Sequence, residues 1–213
     1  CDYLINLGSN FNGLVDTRLI SSQQFIDFNK ILSKAKIKIL PLKDVIYSKE
    51  YFPDFDRSYA FSLPKNYTPR NYEKNIQWLK KRIKSEGLLI WNNSHIAYIL
   101  NIRSFELDNS TKPFAGLFIP KKNLKPIIIS NNPRLRNIKK IKNNFKLQSF
   151  ETFKSYLKKN NFIKIEFEFK YTNFQVFHSL NKFLNIDKTL IPIDKFMSKK
   201  TMIEQNNIIN CHY

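Results

Sequence analysis

From residue 71 onward the spacing of apolar residues switches back and forth between helical and extended periods. Trp78-Leu79-Lys80-Lys81-Arg82-Ile83-Lys84-Ser85-Glu86 has a helical period that Gly87 is placed to close, and Leu88-Leu89-Ile90 follows at once as a buried strand. Asn92-Asn93-Ser94 supplies helix-capping side chains, and His95 to Leu100 is so short and apolar that it predicts a helix held by packing. Phe114 to Ile119 and Lys125 to Ser130 read as strands, Pro133 to Lys142 as a short basic helix, and Phe145 to Gln148 as a further strand. Glu151 to Lys159 reads as a helix with Phe153, Tyr156 and Leu157 inward. Phe162 to Phe169 alternates strictly, with Ile163, Ile165, Phe167 and Phe169 on one side and Lys164, Glu166 and Glu168 on the other. That alternation predicts a strand at a sheet edge with its glutamates in water. Asn173 is placed to cap a helix carrying Phe174, Phe177, Leu180 and Leu184. Strands and helices that alternate at this pace predict an α/β fold with a largely parallel or mixed sheet between helices.

The first third of the chain is sparser. Asp2 to Leu7 reads as a strand and Gly8 to Gly13 as a turn-rich link. Ser21-Ser22-Gln23-Gln24 opens a helix whose Phe25, Phe28, Ile31 and Leu32 share a face, and Ile37 to Leu42 is a strand. Residues 48–70 hold Pro53, Pro64 and Pro69, scattered aromatics and no sustained period, which predicts a linker.

Composition narrows the function classes more than it chooses among them. A chain of 213 residues with 42% hydrophobic content and 19 Phe has the means for a proper core. The net charge of +19 raises nucleic acid as a partner. However, the excess is chiefly Lys spread along the chain amid much Asn and Ile; its densest group is Arg134, Arg136, Lys139, Lys140 and Lys142, which reads as the solvated face of a helix. Cys1 and Cys211 lie at opposite ends and imply neither a disulfide framework nor a zinc site, which fits a reducing cytoplasm. No apolar run has the length of a membrane span. Four glycines, Gly8, Gly13, Gly87 and Gly116, are too scattered for a phosphate loop. His95, His178 and His212 are far apart and read as satisfied or surface histidines, not ligands.

A more specific pattern lies in Ile96-Ala97-Tyr98-Ile99-Leu100-Asn101-Ile102-Arg103-Ser104-Phe105-Glu106, which continues without a gap to Ile119. This run resembles the I-A-W-L-L-N-I-R-G-S-D pattern in the second domain of Xaa-Pro aminopeptidases, of the creatinase and prolidase superfamily. Ser104 stands where that family has Gly. Val15-Asp16-Thr17-Arg18-Leu19 and the elements after it are similar to the end of the family's first domain, with Thr17 in place of Pro and a shorter segment between Leu42 and Asp44. Tyr67 to Asn71 resembles the entry to the second domain, with Pro69 in place of Gly. Lys200, Glu204 and His212 match the helix that opens the family's catalytic domain, whereas Gln205, Asn206 and Asn207 depart from it.

The resemblance implies a three-layer creatinase N-terminal-like domain with a mixed, largely parallel sheet over residues 71–197. Before it would lie the remnant of a similar domain (1–47) and a linker (48–70), and after it the opening helix of a pita-bread catalytic domain (198–213). It further implies a truncated or split amino-terminal part of an Xaa-Pro aminopeptidase. In the complete enzyme a manganese pair held by two Asp, one His and two Glu activates hydroxide against an Xaa-Pro peptide bond. None of those ligands can be placed here, so this chain is expected to carry no metal or other cofactor and to be inactive alone. Its expected partners are a second copy or a separately encoded catalytic chain. Arg103 and Glu106 are the expected substrate-side residues of the complete enzyme; the structural reading beside it is an internal pair of Arg103 with Glu106 or Asp108 that shapes the loop. The alternative from another class is a small basic α/β protein that binds nucleic acid through residues 134–142.

Overall fold

The computed structural model describes residue 5 and residues 12–42, 59–68, 70–106 and 109–212. The expected strand over 2–7 lies outside the described residues apart from Ile5, as do most of the expected linker and Asp108. The elements are β1 (Asn12–Val15), α1 (Ser22–Leu32), β2 (Lys38–Pro41), β3 (Ala60–Ser62), α2 (Tyr72–Lys80), β4 (Gly87–Ile90) and α3 (Asn93–Leu100). They continue with β5 (Ile102–Ser104), β6 (Gly116–Pro120), β7 (Ile127–Ile129), α4 (Lys139–Asn144), β8 (Lys146–Gln148) and α5 (Phe150–Lys159). The last are β9 (Lys164–Phe167), α6 (Phe174–Asn181), β10 (Asn185–Lys188), α7 (Ile193–Ser198) and α8 (Met202–His212).

Six strands form the central sheet in the order β10-β9-β4-β6-β7-β8, and every pairing is parallel except those of β6. The expected mixed, largely parallel sheet flanked by helices is present. Strands β4, β6 and β7 are buried on both faces, and their residues divide by parity. Leu88, Ile90, Leu117, Ile119 and Ile128 join a core with Ile76 and Leu79 of α2, Ile96, Ile99 and Leu100 of α3, and Ile193 of α7. Leu89, Phe118, Ile127 and Ile129 point the other way, to Phe153 and Leu157 of α5 and Val176 and Leu180 of α6. That period-two division over a sheet covered on both sides produces three layers.

Four expectations need correction. Helix α2 ends at Lys80, and Gly87 opens β4 rather than capping a helix. A Cβ on Gly87 would lie 2.5 Å from Cζ of Phe118, so what the position requires is room for a ring from the next strand. Ile138 is extended and divides the expected basic helix into a 3-10 turn at Pro133–Asn137 and the short α4. Ala60–Ser62, expected in the linker, pairs antiparallel with β5.

The fourth correction concerns β9, which is an interior strand between β4 and β10. Its glutamates are buried, Glu166 at 4% exposure and Glu168 at 9%, while Ile163 is 66% exposed. The sequence Asn185-Ile186-Asp187-Lys188 has a single apolar residue, so β10, the strand that shields β9, has no hydrophobic signature.

Candidate functional site: the loop after strand β5

Strand β4 leads directly to α3, whose first turn is satisfied by Asn92, its Oδ1 accepting from Ser94 N at 2.8 Å. Helix α3 stops at Asn101, which adopts the left-handed conformation with φ 50° and ψ 49°. Asparagine tolerates that region because its short side chain can bond locally. Asn101 Nδ2 donates to Arg70 O at 2.6 Å, and its own carbonyl accepts from Leu63 N at 3.0 Å and Lys140 Nζ at 2.9 Å. The chain thus turns sharply into β5 with the turn tied to three distant segments.

Arg103 lies in the middle of β5, half-buried between Ile102 and Ser104, which face inward. Its Nη1 donates to Ala97 O in the last turn of α3 at 3.2 Å and to Ile102 O at the start of β5 at 2.8 Å, setting a positive charge near the carboxyl end of the helix. Burial pulls the guanidinium below its ordinary pKa, a range where arginine is still charged.

Glu106 is buried at 6% exposure. Its Oε1 accepts from Ser104 Oγ at 2.6 Å and Asn132 Nδ2 at 2.7 Å, and its Oε2 accepts from Phe114 N at 3.0 Å. One carboxylate therefore fastens the end of β5, the far side of the 105–113 loop and the turn after β7. Asn132 spends its other side-chain atom on Arg134 N at 2.9 Å, so the junction is bonded on both sides. The expected Arg103–Glu106 pair is not formed: the cation has found carbonyls and the anion neutral donors.

Beside the loop lies an apolar rim. Tyr59, Phe105 and Phe114 are exposed, and the Tyr59, Phe61 and Phe105 rings stack in series at 5.5 and 6.1 Å. A cation and exposed rings can bind; with Glu106 engaged by three donors they offer no general base and no nucleophile. Among the described residues no group of three or more His, Cys, Asp or Glu could hold a metal ion, so the donor set of a manganese pair is not met by them. No helix among them is long and apolar enough to cross a membrane.

The basic group expected on one solvated face is divided. Lys139 and Lys142 are exposed, but Lys140 turns inward to Asn101 O and lies 5.5 Å from the Tyr72 ring. Burial pushes its amine down to about 8, with Glu73 opposing the shift and Arg103 adding to it. Lys140 is thereby lost to a phosphate-binding surface, which needs its ammonium groups in solvent, while Arg134, Arg136, Lys139 and Lys142 stay exposed.

A cluster that sequence reasoning missed lies at the carboxyl ends of β4 and β9. His95, 2% exposed, has Nδ1 at 3.0 Å from Glu168 Oε2 and Nε2 at 2.8 Å from Asp194 Oδ1. Glu166 lies apart from that cluster, by the amino end of β4, and accepts from Lys84 N at 2.7 Å, Ser85 N at 3.1 Å and Thr189 Oγ1 at 2.8 Å. Residues 168 and 95 carried a signal only jointly, as a carboxylate and an imidazole on segments 73 residues apart. A cavity of about 430 Å³ lies beside Glu166, which lines it with Arg82, Lys84, Asp187, Lys188 and Pro192 among others; it includes neither Arg103 nor Glu106.

No protein-family model and no curated protein matches the sequence. Among solved structures, the X-prolyl aminopeptidase of Caenorhabditis elegans, described as a cytosolic enzyme with a di-nuclear active site, superposes with a TM-score of 0.78 at 15% identity. That match covers 98% of this chain and 36% of the nematode enzyme. The Xaa-Pro dipeptidase of Bacillus anthracis gives a TM-score of 0.50 at 16% identity, over 64% of this chain and 38% of its own. The sheet order and its helices therefore define a three-layer α/β fold shared with part of each of these two Xaa-Pro peptidases. This chain spans little more than a third of the length of those two enzymes.

Proposed function

We propose that this chain is the amino-terminal, non-catalytic region of an Xaa-Pro aminopeptidase: the end of a first domain, a complete second domain, and the helix that leads to the metal-binding half. The observation that carries the reading is the likeness to the nematode enzyme over 98% of this chain, from β1 to α8. The run from Ile96 to Glu106 also supports it: Asn101 makes the left-handed turn that the pattern's asparagine suits, and half-buried Arg103 lies opposite Phe61 in the β3–β5 pair.

On this reading the loop after β5 faces the substrate side of the complete enzyme. Arg103 and the rim of Tyr59, Phe105 and Phe114 border the path of the peptide, and Glu106 acts as the positioning residue that keeps the loop closed. Hydrolysis belongs to a catalytic half with a manganese pair, in a separate chain or a longer product, and the setting is cytoplasmic. No hydrolytic step is assigned to the residues described here.

The test is an assay of the purified chain with manganese on an Xaa-Pro peptide, alone and mixed with a separately expressed catalytic half of an Xaa-Pro aminopeptidase. The expected result is no turnover alone and a gain in the mixture, reduced by Arg103→Ala. Sustained metal-dependent turnover by the chain alone overturns the non-catalytic reading.

A further inference from the structure

The chain leaves β4 and β9 in opposite directions. Helix α3 returns over the face that holds Ile90 and Leu117, and α6 over the face that holds Phe118 and Phe167. Such a reversal opens a crevice at the carboxyl ends of the two strands. Here the crevice is lined by His95 from the first turn of α3 and by Glu168 and Tyr171 from the turn after β9, and α7 closes over it with Asp194.

Both ring nitrogens of His95 face a carboxylate oxygen, and an ionised carboxylate only accepts. A neutral imidazole has one N–H and would leave a lone pair against a carboxylate on its other side. With both carboxylates ionised, the arrangement is met by the doubly protonated imidazolium, donating Nδ1–H to Glu168 and Nε2–H to Asp194. We infer that the His95 imidazolium is a pH-sensitive clasp that seats α7, and with it the path to α8, on the carboxyl ends of β4 and β9.

The other groups around the ring agree with that charge. Tyr171 meets the imidazole edge-on at 5.1 Å and donates its hydroxyl to Asp194 Oδ2 at 2.9 Å. Lys170, fully exposed, faces Tyr171, Glu168 and Asp194 and offsets the second carboxylate. Burial acts against the imidazolium, but hydrogen bonds and charge from Glu168 and Asp194 outweigh it and hold the pKa above the ordinary 6.5. The Asp194 carboxyl is correspondingly lowered, its own burial being outweighed by His95 and Tyr171.

Two residues beyond Asp194, Phe196 is buried in an aromatic stack, 4.1 Å from Trp78 and edge-on to Tyr98 at 6.2 Å, with Arg70 over its ring at 4.4 Å. Helix α7 is thus fixed at one point by charge and at the next by rings. Loss of the His95 proton removes the first, and the stack on Trp78 reports the change. Stability from the clasp is full below the unfolded histidine value of 6.5 and is lost as pH rises through the raised folded value.

The experiment reads His95 ring nitrogens by NMR and Trp78 by fluorine NMR of 5-fluorotryptophan protein, which carries only Trp78 and Trp91, from pH 5 to 10. A doubly protonated His95 at neutral pH and a Trp78 resonance that moves with the His95 midpoint are expected. Asp194→Asn, at a side chain 64% exposed and so compatible with folding, should lower that midpoint by about one pH unit. A neutral single-tautomer His95 at pH 7, or a Trp78 signal that is unchanged across the His95 titration, overturns the clasp. The outcome is independent of the peptidase reading, since no substrate or catalytic half enters the measurement.

Discussion

The stretch from β1 to β2 and the six-stranded sandwich are both α/β, yet they are held by different means. In the sandwich, Leu88, Leu117, Phe118, Ile128 and Phe167 have no exposed surface at all, and the two cores meet through the sheet. Between β1 and β2 only Leu32 and Ile37 are buried apolar residues, while Leu14, Leu19, Ile26, Ile31 and Leu40 are exposed. A parallel pair of four-residue strands with one helix cannot bury enough to stand alone. It is secured by polar docking onto the turn after β9: Ser22 N and Oγ donate to Thr172 O, Gln23 N to Phe169 O, and Gln175 N to Thr17 O. The Phe25 and Phe174 rings stack across the same junction. The sandwich stabilises itself, and the amino-terminal stretch takes its stability from the sandwich.

The largest expected effect comes from breaking the sandwich. Phe118→Ala should cost about 3–5 kcal/mol in urea unfolding and release the β1–β2 stretch in the same transition, since the docking turn is lost with it. Glu106→Gln should cost about 2 kcal/mol, because an amide offers a donor where Ser104, Asn132 and Phe114 also donate; amide exchange over 104–114 should rise with it.

A sharper contrast should come from Ser22→Ala, about 1 kcal/mol, felt as faster exchange between β1 and β2 with the sandwich unchanged. Smaller again is a pH effect at Lys140. Its folded pKa of about 8 lies below the unfolded 10.5, so the unfolded chain binds more protons between those values and stability rises with pH across that window. Lys140→Met should flatten that rise, by less than about 1 kcal/mol once solvent screening is counted, in unfolding curves recorded from pH 7 to 10. Leu14→Gln, at a side chain 66% exposed, should change stability by under about 0.5 kcal/mol, whereas a larger loss would mean that the β1–β2 stretch has a core of its own.

Local chemistry was legible wherever the next few residues decide the outcome. Asn92, Asn173 and Ser21 cap helices as their positions implied, because a cap needs only its own backbone two or three residues on. The doubly apolar run Leu88-Leu89-Ile90 announced a strand covered on both faces, and the alternation of elements announced the three layers. The run from Ile96 stood out through its resemblance to a known family pattern, though the partners of Arg103 and Glu106 did not.

What the sequence by itself determined is the fold class and those elements that carry a periodic or capping signal, since periodicity and capping act over a few residues; β3, β10 and α7 were not among them. Only the tertiary structure decided which strand is an edge, and hence that Glu166 and Glu168 are buried among donors instead of solvated. It also brought Glu168, His95 and Asp194 together and separated Arg103 from Glu106. The physical reason is common to all of these: a buried charge is stabilised by whichever donors or acceptors the packed chain brings within about 3 Å, and those come from residues far off in sequence.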